Sequence, residues 1–375
     1  MIKKSRPKVA IVHDWLTNMG GAENVVLAFH EAFPNAPIYT STYIPENMPA
    51  FKNLDVRTTY LQNLPKLLRK LHKFFPILRV KAFRKLDLSE FDVILSSSSA
   101  EAKQVRKTRP DQIHICYCHT PIRYYWSDYA EYKKNPGFGR LNWLIRLFMP
   151  IIVPPLRRSD FRAAQEVDYF IGNSEYIAER IRTFYKKPAD VIHPPANVKR
   201  FKPKSKRAEY YVAMARQIPY KRLDLAIQAA NKLGVRLKVF GDGSEHDKLV
   251  AMAGPTIEFF SGSGSQKDQD HITQSFNEAR GFIFPAKEDF GITMVEALAG
   301  GTPVITYDQG GSLDIVKDGE TGVLFDEQTA DAVAGAIRRS QTIKFNPALL
   351  HNRAKRFDRT MFITKIKNYV ISRAR

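Results

Sequence analysis

Two glutamates, Glu288 and Glu296, are separated by seven residues in a stretch that mixes apolar, acidic and glycine residues. The apolar spacing predicts a short helix over 292–299 between two buried strands, with Gly291 at its start. The backbone N–H groups of 290–293 would then favour an anion such as phosphate, and carboxylates accept hydrogen bonds from sugar hydroxyls. The stretch therefore predicts a site for a diphosphate with a sugar on each side, although two glutamates alone are more often a helix-dipole partner and a solvated residue.

Two cations are predicted to lie at the same sheet edge as Glu288. Arg216 and Lys221 fall between a predicted strand, 210–215, and a predicted helix, 222–232. Because the carboxyl ends of parallel strands meet at one edge of a sheet, these side chains would face the same ligand. The alternative is a pair of exposed surface cations, which is a common arrangement.

Residues at other predicted strand ends are candidates for the same chemistry. Gly20 and Gly21 follow the predicted strand 8–13, and a glycine turn at that place lies beside the ligand crevice of a doubly wound sheet. His119 follows the predicted strand 113–118, where a histidine is well placed for chemistry. Glycines often only turn the chain, and a lone histidine is more often a packed residue, so neither signal is specific.

The order of elements predicts an α/β protein with two doubly wound domains. In the second half the predicted strands are 210–215, 236–240, 257–260, 281–284, 303–307 and 322–325, and helical patterns alternate with them. A length of 375 residues suggests two domains, and the stiff pair Pro194 and Pro195 marks a boundary. We predict a first domain over 1–195, a second over 196–356, and a C-terminal helix within 357–375 that packs back on the first.

Charge and cysteine content restrict the class of protein. There are 58 Lys and Arg against 38 Asp and Glu, a net charge of +20, which predicts an anionic partner such as a membrane face, nucleic acid or a phosphorylated substrate. Only Cys116 and Cys118 are present, so a disulfide framework is excluded, a zinc site is disfavoured and a reducing cytoplasm fits. We expect no signal peptide, and no apolar run reaches the ~18 residues of a membrane-spanning helix.

Two basic and apolar segments favour a membrane over nucleic acid as the anionic partner. Segment 62–86 places leucines and phenylalanines on one predicted helical face and basic residues on the other, which suits the headgroup region of an anionic bilayer. Segment 138–158 is apolar with flanking arginines and is a second candidate. For 62–86 the alternative is an ordinary core-facing helix with a solvated basic side. No nucleic-acid recognition motif is present, so we predict no nucleic-acid partner.

The stretch around the two glutamates resembles the signature of the family-four retaining glycosyltransferases of the GT-B fold. The matching residues are Glu288, Phe290, Gly291, Ile292, Glu296, Ala297, Leu298, Ala299, Gly301, Pro303 and Val304. The likeness covers nearly the whole chain and is strongest over 216–325. Segments 11–16 and 118–126 resemble bacterial mannosyltransferases of the O-antigen or exopolysaccharide type. The aromatic residues 124–126 either stack on an acceptor sugar or lipid, or pack.

This resemblance implies two Rossmann-like domains that face a cleft, with a nucleotide-sugar bound mainly to the second. The residues that it assigns to the donor diphosphate are Gly20, Gly21, Arg216, Lys221 and Phe290. Those that it assigns to the sugars are Glu296, for the ribose, and Glu288, Gly291, Ile292 and His119, for the transferred hexose. The predicted catalytic residues are Arg216, Lys221, Glu288 and His119.

The resemblance also implies the reaction and its partners. Anomeric configuration is retained, the leaving phosphate helps to deprotonate the acceptor, and cationic side chains with a helix dipole serve in place of a metal. The mannosyltransferase likeness favours GDP-mannose as donor, and a UDP-hexose is the alternative. The acceptor would be a lipid-linked saccharide, which places the protein at the cytoplasmic face of the cell membrane. A GT-B sugar-nucleotide epimerase and a basic nucleic-acid-binding protein are the competing functions.

Overall fold

The computed structural model describes residues 7–65, 69, 75–134, 142–262 and 265–374. The chain divides into two compact units. Unit 1 consists of Met1–Pro194 together with Phe362–Arg375, and unit 2 is Pro195–Met361. Within the predicted basic segment 62–86, residues 66–68 and 70–74 fall outside the described residues.

Unit 1 is built on a parallel sheet, as the apolar strand pattern predicts. Its strands are β1 (Val9–His13), β2 (Ile38–Thr40), β3 (Val56–Thr58), β4 (Val93–Ser98), β5 (Ile113–Cys118), β6 (Tyr169–Gly172) and β7 (Ala189–Val191). They are ordered β3-β2-β1-β4-β5-β6-β7, and every pairing is parallel. In this register His13 pairs with Ser97, and Ser98 with Cys118. The ends of β1, β4 and β5 therefore meet at one edge of the sheet.

Helices cover the faces of this sheet. They are α1 (Gly21–Ala32), α2 (Pro76–Arg84), α3 (Tyr129–Lys134), α4 (Asn142–Glu166), α5 (Glu175–Tyr185) and the C-terminal α13 (Arg359–Arg373). The C-terminal helix buries Phe362, Ile366 and Val370 in the unit 1 core, and Phe362 stacks on Phe29 of α1 with ring centroids 5.9 Å apart. The prediction that the last helix returns to the first domain is confirmed.

Unit 2 repeats the arrangement with a second parallel sheet. Its strands are β8 (Tyr210–Met214), β9 (Arg236–Phe240), β10 (Ile257–Phe260), β11 (Gly281–Phe284), β12 (Val304–Tyr307) and β13 (Gly322–Phe325), ordered β10-β9-β8-β11-β12-β13. Its helices are α6 (Leu223–Leu233), α7 (His246–Met252), α8 (Gln266–Glu278), α9 (Ile292–Ala299), α10 (Ser312–Ile315), α11 (Ala330–Thr342) and α12 (Pro347–Ala354). Each predicted strand lies within one residue of an observed one, because both faces of the sheet are buried and the strands are continuous apolar runs.

Helix α4 continues through three prolines. Pro150, Pro154 and Pro155 all lie inside it, and each is exposed. The helix is anchored on its other side by Val153, Leu156 and Ala163, so packing outweighs the backbone hydrogen bonds that proline removes. Among the described residues, no helix combines the length and apolar content that crossing a bilayer requires.

The aromatic run 124–126 packs inside unit 1. Tyr125 is 1% exposed, and Trp126 stacks on Phe184 with centroids 5.4 Å apart while its Nε1 donates to Asp160 at 2.8 Å. These contacts decide between the two roles left open by the sequence. Cys116 and Cys118 are free and buried in β5, as expected for strand packing.

Candidate functional site

The carboxyl edge of the unit 2 sheet brings the loops after β8, β9 and β10 into direct backbone contact. A Cβ atom at Gly241, whose φ is +126°, would collide with the carbonyl of Ala215, and one at Gly262 would lie 2.5 Å from Gly241 Cα. Only glycine allows backbones to approach this closely. The loops are therefore tightly packed at this edge, which is where doubly wound sheets bind ligands.

Lys221 and Glu288, predicted from separate motifs, are in contact at this edge. The Lys221 ammonium pairs with Glu288 Oε2, and the two side chains are only 12% and 15% exposed. Lys221 also lies over the ring of Phe284, at 5.7 Å from its centroid. Glu288 is fixed by its backbone, because its carbonyl accepts a hydrogen bond from the Gly311 amide at 2.9 Å. The turns after β8, β11 and β12 thus meet at one charged pair.

Arg216 lies on the same turn as Lys221 and is exposed. Its Nη2 donates to the Tyr220 hydroxyl at 3.4 Å, so the guanidinium lies along the turn. Arg222, which follows Lys221, adopts a left-handed φ of 52°. A non-glycine residue in that region is held by its surroundings and is enriched at functional sites. The turn therefore presents two cations from a constrained backbone.

Helix α9 begins beside this pair. Gly291 is its N-cap with a φ of +96° and, as a glycine, supplies no capping side chain. Phe290 is buried, while Gly291 and Ile292 are partly exposed. Phe290 packs edge-on against Phe357 with centroids 5.6 Å apart, which fixes the entry of the chain into the helix. The first N–H groups of α9 and the Lys221 ammonium make this corner suited to an anion.

Glu296 lies one turn further along α9 and faces a cation that the sequence did not suggest. Arg200 Nη2 is 3.6 Å from Glu296 Oε1, and Arg200 Nη1 donates to Gln269 Oε1 at 2.9 Å. Burial raises the pKa of the Glu296 carboxyl above its usual value, and Arg200 opposes this shift. Arg200 follows the domain boundary without a motif, so no sequence signal pointed to it.

Gln217 is a second residue that the sequence analysis missed. It is fully buried, its amide group donates to the Gly241 carbonyl, and its side-chain oxygen lies 2.7 Å from His246 Nδ1. Its backbone N–H donates to the Asp242 carbonyl at 2.9 Å. These bonds tie the turn that carries Arg216 and Lys221 to the glycine loop after β9. In the sequence, the only indication of its role was its position directly after the predicted cation Arg216.

The remaining predicted residues belong to unit 1. Gly20 is the N-cap of α1 and Gly21 its first residue. Gly20 has an extended backbone with φ −163°, so this position does not need glycine for its torsion angles. A Cβ atom there would lie 2.9 Å from Glu23 Oε2. The turn thus brings a carboxylate, Glu23, next to backbone N–H groups that were assigned to a diphosphate.

His119 lies directly after β5 and is held by its neighbours. Its Nε2 is 2.8 Å from the Ser97 hydroxyl, its carbonyl accepts from Asn173 Nδ2 at 3.0 Å, and its ring is edge-on to Tyr117 with centroids 5.2 Å apart. Burial, helped by nearby His13, lowers the pKa of His119 to about 3. At neutral pH this imidazole is uncharged and acts through hydrogen bonds.

The described residues do not form a metal site. They contain no cluster of three or more His, Cys, Asp or Glu side chains with the arrangement of a metal site. The positive charge at the unit 2 edge comes from Arg216, Lys221 and Arg200.

Two family models match the chain. Residues 19–200 match the model described as Glycosyltransferase Family 4, and residues 196–356 match the model described as Glycosyl transferases group 1. The first match lies almost wholly in unit 1 and the second in unit 2.

Curated relatives match parts of the chain. A D-inositol 3-phosphate glycosyltransferase of Mycobacterium avium is 32% identical over 216 residues, which is 49% of this chain and 50% of that protein. An exopolysaccharide phosphotransferase of Streptomyces coelicolor is 31% identical over 167 residues, 39% of this chain and 16% of that protein. The chain thus spans half or less of the length of these relatives.

Solved structures match over almost the full length. A sucrose-phosphate synthase from Thermosynechococcus elongatus superposes with a TM-score of 0.70 at 18% identity, covering 97% of this chain and 98% of that one. Anabaena HepE, solved in complex with UDP and glucose, gives 0.63 at 15% identity, with coverage of 97% and 99%. At such identities these likenesses concern the fold, and they agree with the predicted arrangement of two Rossmann-like domains.

Proposed function

We propose that this chain, which joins a Glycosyltransferase Family 4 domain to a Glycosyl transferases group 1 domain in the GT-B fold, is a retaining hexosyltransferase that uses a nucleotide-sugar donor. The observation that carries the proposal is the pairing of Lys221 with Glu288 beside the start of α9. A cation, a helix N-terminus and a carboxylate at one point fit the junction between a diphosphate and a hexose.

The donor would be held from its phosphates outward. Lys221, Arg216 and the N–H groups at the start of α9 stabilise the diphosphate, and more so as negative charge develops on the leaving group. On binding, the Lys221 ammonium turns from Glu288 to phosphate, and the carboxylate accepts hydrogen bonds from the hexose. Glu296, oriented by Arg200, binds the ribose hydroxyls.

In the proposed reaction the bond between the anomeric carbon and the phosphate oxygen breaks, and the acceptor oxygen bonds to the same face of that carbon. The acceptor proton passes to the departing phosphate oxygen, so charge and atoms balance without a protein base. Arg216 and Lys221 supply the stabilising charge, and we expect full activity in the presence of EDTA. Gly20 and Gly21 would bind the donor diphosphate and His119 the transferred hexose, as the family resemblance implies.

For the donor itself we propose GDP-mannose, on the likeness of segments 11–16 and 118–126 to mannosyltransferases. A UDP-hexose is the alternative, and the UDP and glucose bound to Anabaena HepE favour it. An epimerase of the same fold differs in one respect that can be measured, because it would consume donor in the absence of acceptor.

We also propose that the protein works at an anionic membrane surface on a lipid-linked saccharide. One face of α4 carries the exposed apolar residues Trp143, Leu147, Phe148, Ile151 and Ile152, each at least 39% exposed. Trp143, Leu147 and Ile151 recur every four residues, and Phe148 and Ile152 form a second row beside them with the same spacing. Exposed Arg146 and Arg158 accompany them, and the chain carries a charge of +20. An apolar stripe with basic neighbours fits a bilayer interface.

The donor site is tested by thermal shift with GDP, UDP and ADP, followed by transfer assays with the matching sugar nucleotides. We expect Lys221→Ala to lose most of the stabilisation by the nucleotide, since a charge-assisted contact contributes about 1.5–3 kcal/mol. We expect Glu288→Ala to keep that stabilisation, because it removes a carboxylate near phosphate, and yet to lose transfer by about a hundredfold or more.

Matched controls come from another Lys and acid pair of unit 2. Lys232 and Asp331 pair at 2.5 Å on the exposed faces of α6 and α11. Lys232→Ala and Asp331→Ala should leave nucleotide binding and transfer at wild-type levels. Wild-type turnover by Glu288→Ala, or unchanged nucleotide stabilisation of Lys221→Ala, would contradict the proposed function.

A further inference from the structure

A chain of hydrogen bonds runs across the carboxyl edge of the unit 1 sheet and ends on His119. It begins at Glu23 in α1, whose Oε1 is 3.5 Å from His13 Nε2. His13 Nδ1 is 3.1 Å from both the carbonyl and the hydroxyl of Ser97. The Ser97 hydroxyl is 2.8 Å from His119 Nε2. The four residues come from α1, β1, β4 and the end of β5, so only the folded sheet assembles them.

The partners of His13 fix its protons. The Ser97 carbonyl and the Glu23 carboxylate can only accept hydrogen bonds, so both contacts are satisfied when both ring nitrogens of His13 donate. A histidine that donates from both nitrogens is an imidazolium. Burial disfavours this charge, but the hydrogen bond and charge of Glu23, together with the charge of Asp14, outweigh it and raise the pKa of His13 above its usual value.

The direction of the remaining bond follows from the state of His13. The Ser97 hydroxyl oxygen accepts from His13 Nδ1, which it shares with the Ser97 carbonyl. The single hydroxyl hydrogen of Ser97 is then directed to His119 Nε2. A nitrogen that accepts this hydrogen carries no proton of its own. Neutral His119 must therefore hold its proton on Nδ1.

We propose that Ser97, held by His13 and Glu23, is a positioning residue that fixes His119 in the Nδ1–H tautomer, so that the ring offers a donor to an oxygen of the transferred sugar. The inference rests on the proposed function, in which His119 touches that sugar. The inference extends the proposed function by assigning the ring nitrogen of His119 that donates. It also names the three residues that determine the tautomer, Ser97, His13 and Glu23. In the opposite, Nε2–H tautomer, Nδ1 would carry a lone pair and could not donate a hydrogen bond to the sugar oxygen.

The test is the nitrogen spectrum of histidine in the full-length, ligand-free chain labelled with ¹⁵N at its 9 histidines. Pyrrole-type and pyridine-type nitrogens have well separated shifts, and His119→Asn identifies the His119 signals. We expect His119 to show a protonated Nδ1 and a bare Nε2. In Ser97→Ala the pattern should move toward the Nε2–H form, and Ser97→Thr, which keeps the hydroxyl, should restore it.

The neighbouring strand position supplies a matched control. Ser96 bonds His114 Nε2 at the same distance, 2.8 Å, on the opposite face of the sheet, and both residues are fully buried. Ser96→Ala should alter the signals of His114 and leave those of His119 unchanged. In transfer assays Ser97→Ala should lower kcat by about tenfold to a hundredfold with little change in the donor KM, while Ser97→Thr stays near wild type.

A protonated Nε2 on His119 in the wild-type protein would overturn the inference. An Nδ1–H pattern that persists in Ser97→Ala would overturn it as well. Because the spectrum is recorded without substrate, its result stands whether or not the chain transfers sugar. Loss of the proposed function would appear instead as absent transfer in the wild type, with the tautomer result unaffected.

Discussion

Single residues in unit 1 show how buried charge is tolerated near the candidate site. Arg79 Nε lies 2.7 Å from Glu101 Oε2, and Lys103 Nζ lies 2.5 Å from Asp160 Oδ1, with all four side chains almost fully buried. Buried Asp14 accepts backbone N–H bonds from the loop after β4, at 2.6 to 2.9 Å. A buried charge is costly without partners, and each of these charged groups has one.

The charge on His13 predicts a pH dependence of stability. The titratable groups that face it are Glu23 from α1, Asp14 at the end of β1, and His119 after β5. Its pKa is raised from the usual 6.5 in the folded state, so the stability it adds is complete below about pH 6.5 and is lost as pH rises through the folded-state pKa. We expect the free energy of unfolding to differ between wild type and Glu23→Gln more at about pH 6 than at about pH 9.

Urea denaturation at several pH values measures this difference. Glu31→Gln, on the exposed side of the same helix, is the control, and its difference from wild type should stay constant over the range. Since wild type and variant share every other titratable group, the comparison isolates the pair of Glu23 and His13. A difference that grows with rising pH would contradict the assignment of charge to His13.

At the level of elements, the eight-residue helix α9 is anchored along its body and accessible at its start. Its far end and body are buried through Met294, Val295 and Leu298, which anchors it against the sheet. At its start Gly291, Ile292 and Thr293 are partly exposed, and Gly291 offers no capping side chain. A helix that is rigid at one end and open at the other can bind an anion without moving.

The same substitution should therefore have opposite effects in two helices of unit 2. Gly291→Ala places a side chain at φ +96°, against Met294 Cε, and should lower the free energy of unfolding by about 1–2 kcal/mol. Gly335→Ala lies inside α11, where a Cβ atom meets nothing within 4 Å. It should raise stability by about 0.5–1 kcal/mol, because alanine is the better helix former. Chemical denaturation of both variants measures the two signs, and destabilisation by Gly335→Ala would show that the helix comparison is wrong.

At the scale of the whole molecule, the proposed membrane binding combines the net charge of +20 with the apolar face of α4. In this proposal long-range charge would bring the protein to an anionic surface, with about 1 kcal/mol from each basic residue near it, and the apolar side chains would then enter the interface. Charge alone would also attract nucleic acid. The apolar face of α4 therefore favours a bilayer over a polyanion such as nucleic acid as the proposed partner.

Vesicle flotation tests this combination. We expect the protein to bind phosphatidylglycerol vesicles, to bind phosphatidylcholine vesicles weakly, and to release in high salt. The double variant Leu147→Ser with Ile151→Ser should lower partitioning by about tenfold or more, because each apolar side chain buried contributes about 1.5–3 kcal/mol.

Exposed apolar residues of unit 2 provide the control for this variant. Leu313 and Val250 are 54% and 44% exposed, and Leu313→Ser with Val250→Ser should bind vesicles like the wild type. Equal losses in both double variants would argue against α4 as the membrane face. Binding of the protein to a nucleic-acid duplex, without binding to anionic vesicles, would support the nucleic-acid alternative.

Much of the fold follows from the sequence because its signals are local. Buried parallel strands are short apolar runs that end at glycine, proline or polar residues, so β8 to β13 were predicted to within a residue. A serine before a helical pattern is a local signal of the same kind, and the Ser174 hydroxyl caps α5 by accepting the Ile177 amide at 3.1 Å. Helix α7 and helix α12 were missed, since 246–252 and 347–354 are short and their apolar spacing is weak.

The sequence by itself determined the alternation of strands and helices, the likeness to a glycosyltransferase signature and the candidate residues Arg216, Lys221, Glu288 and Glu296. Only the tertiary structure decided what those residues touch: Lys221 against Glu288, Arg200 against Glu296, and Ser97 between His13 and His119. The reason is physical. Strand and helix patterns depend on neighbours along the chain, whereas these contacts join residues 67 to 96 positions apart or on separate strands, and only the packing of the sheet sets their distances.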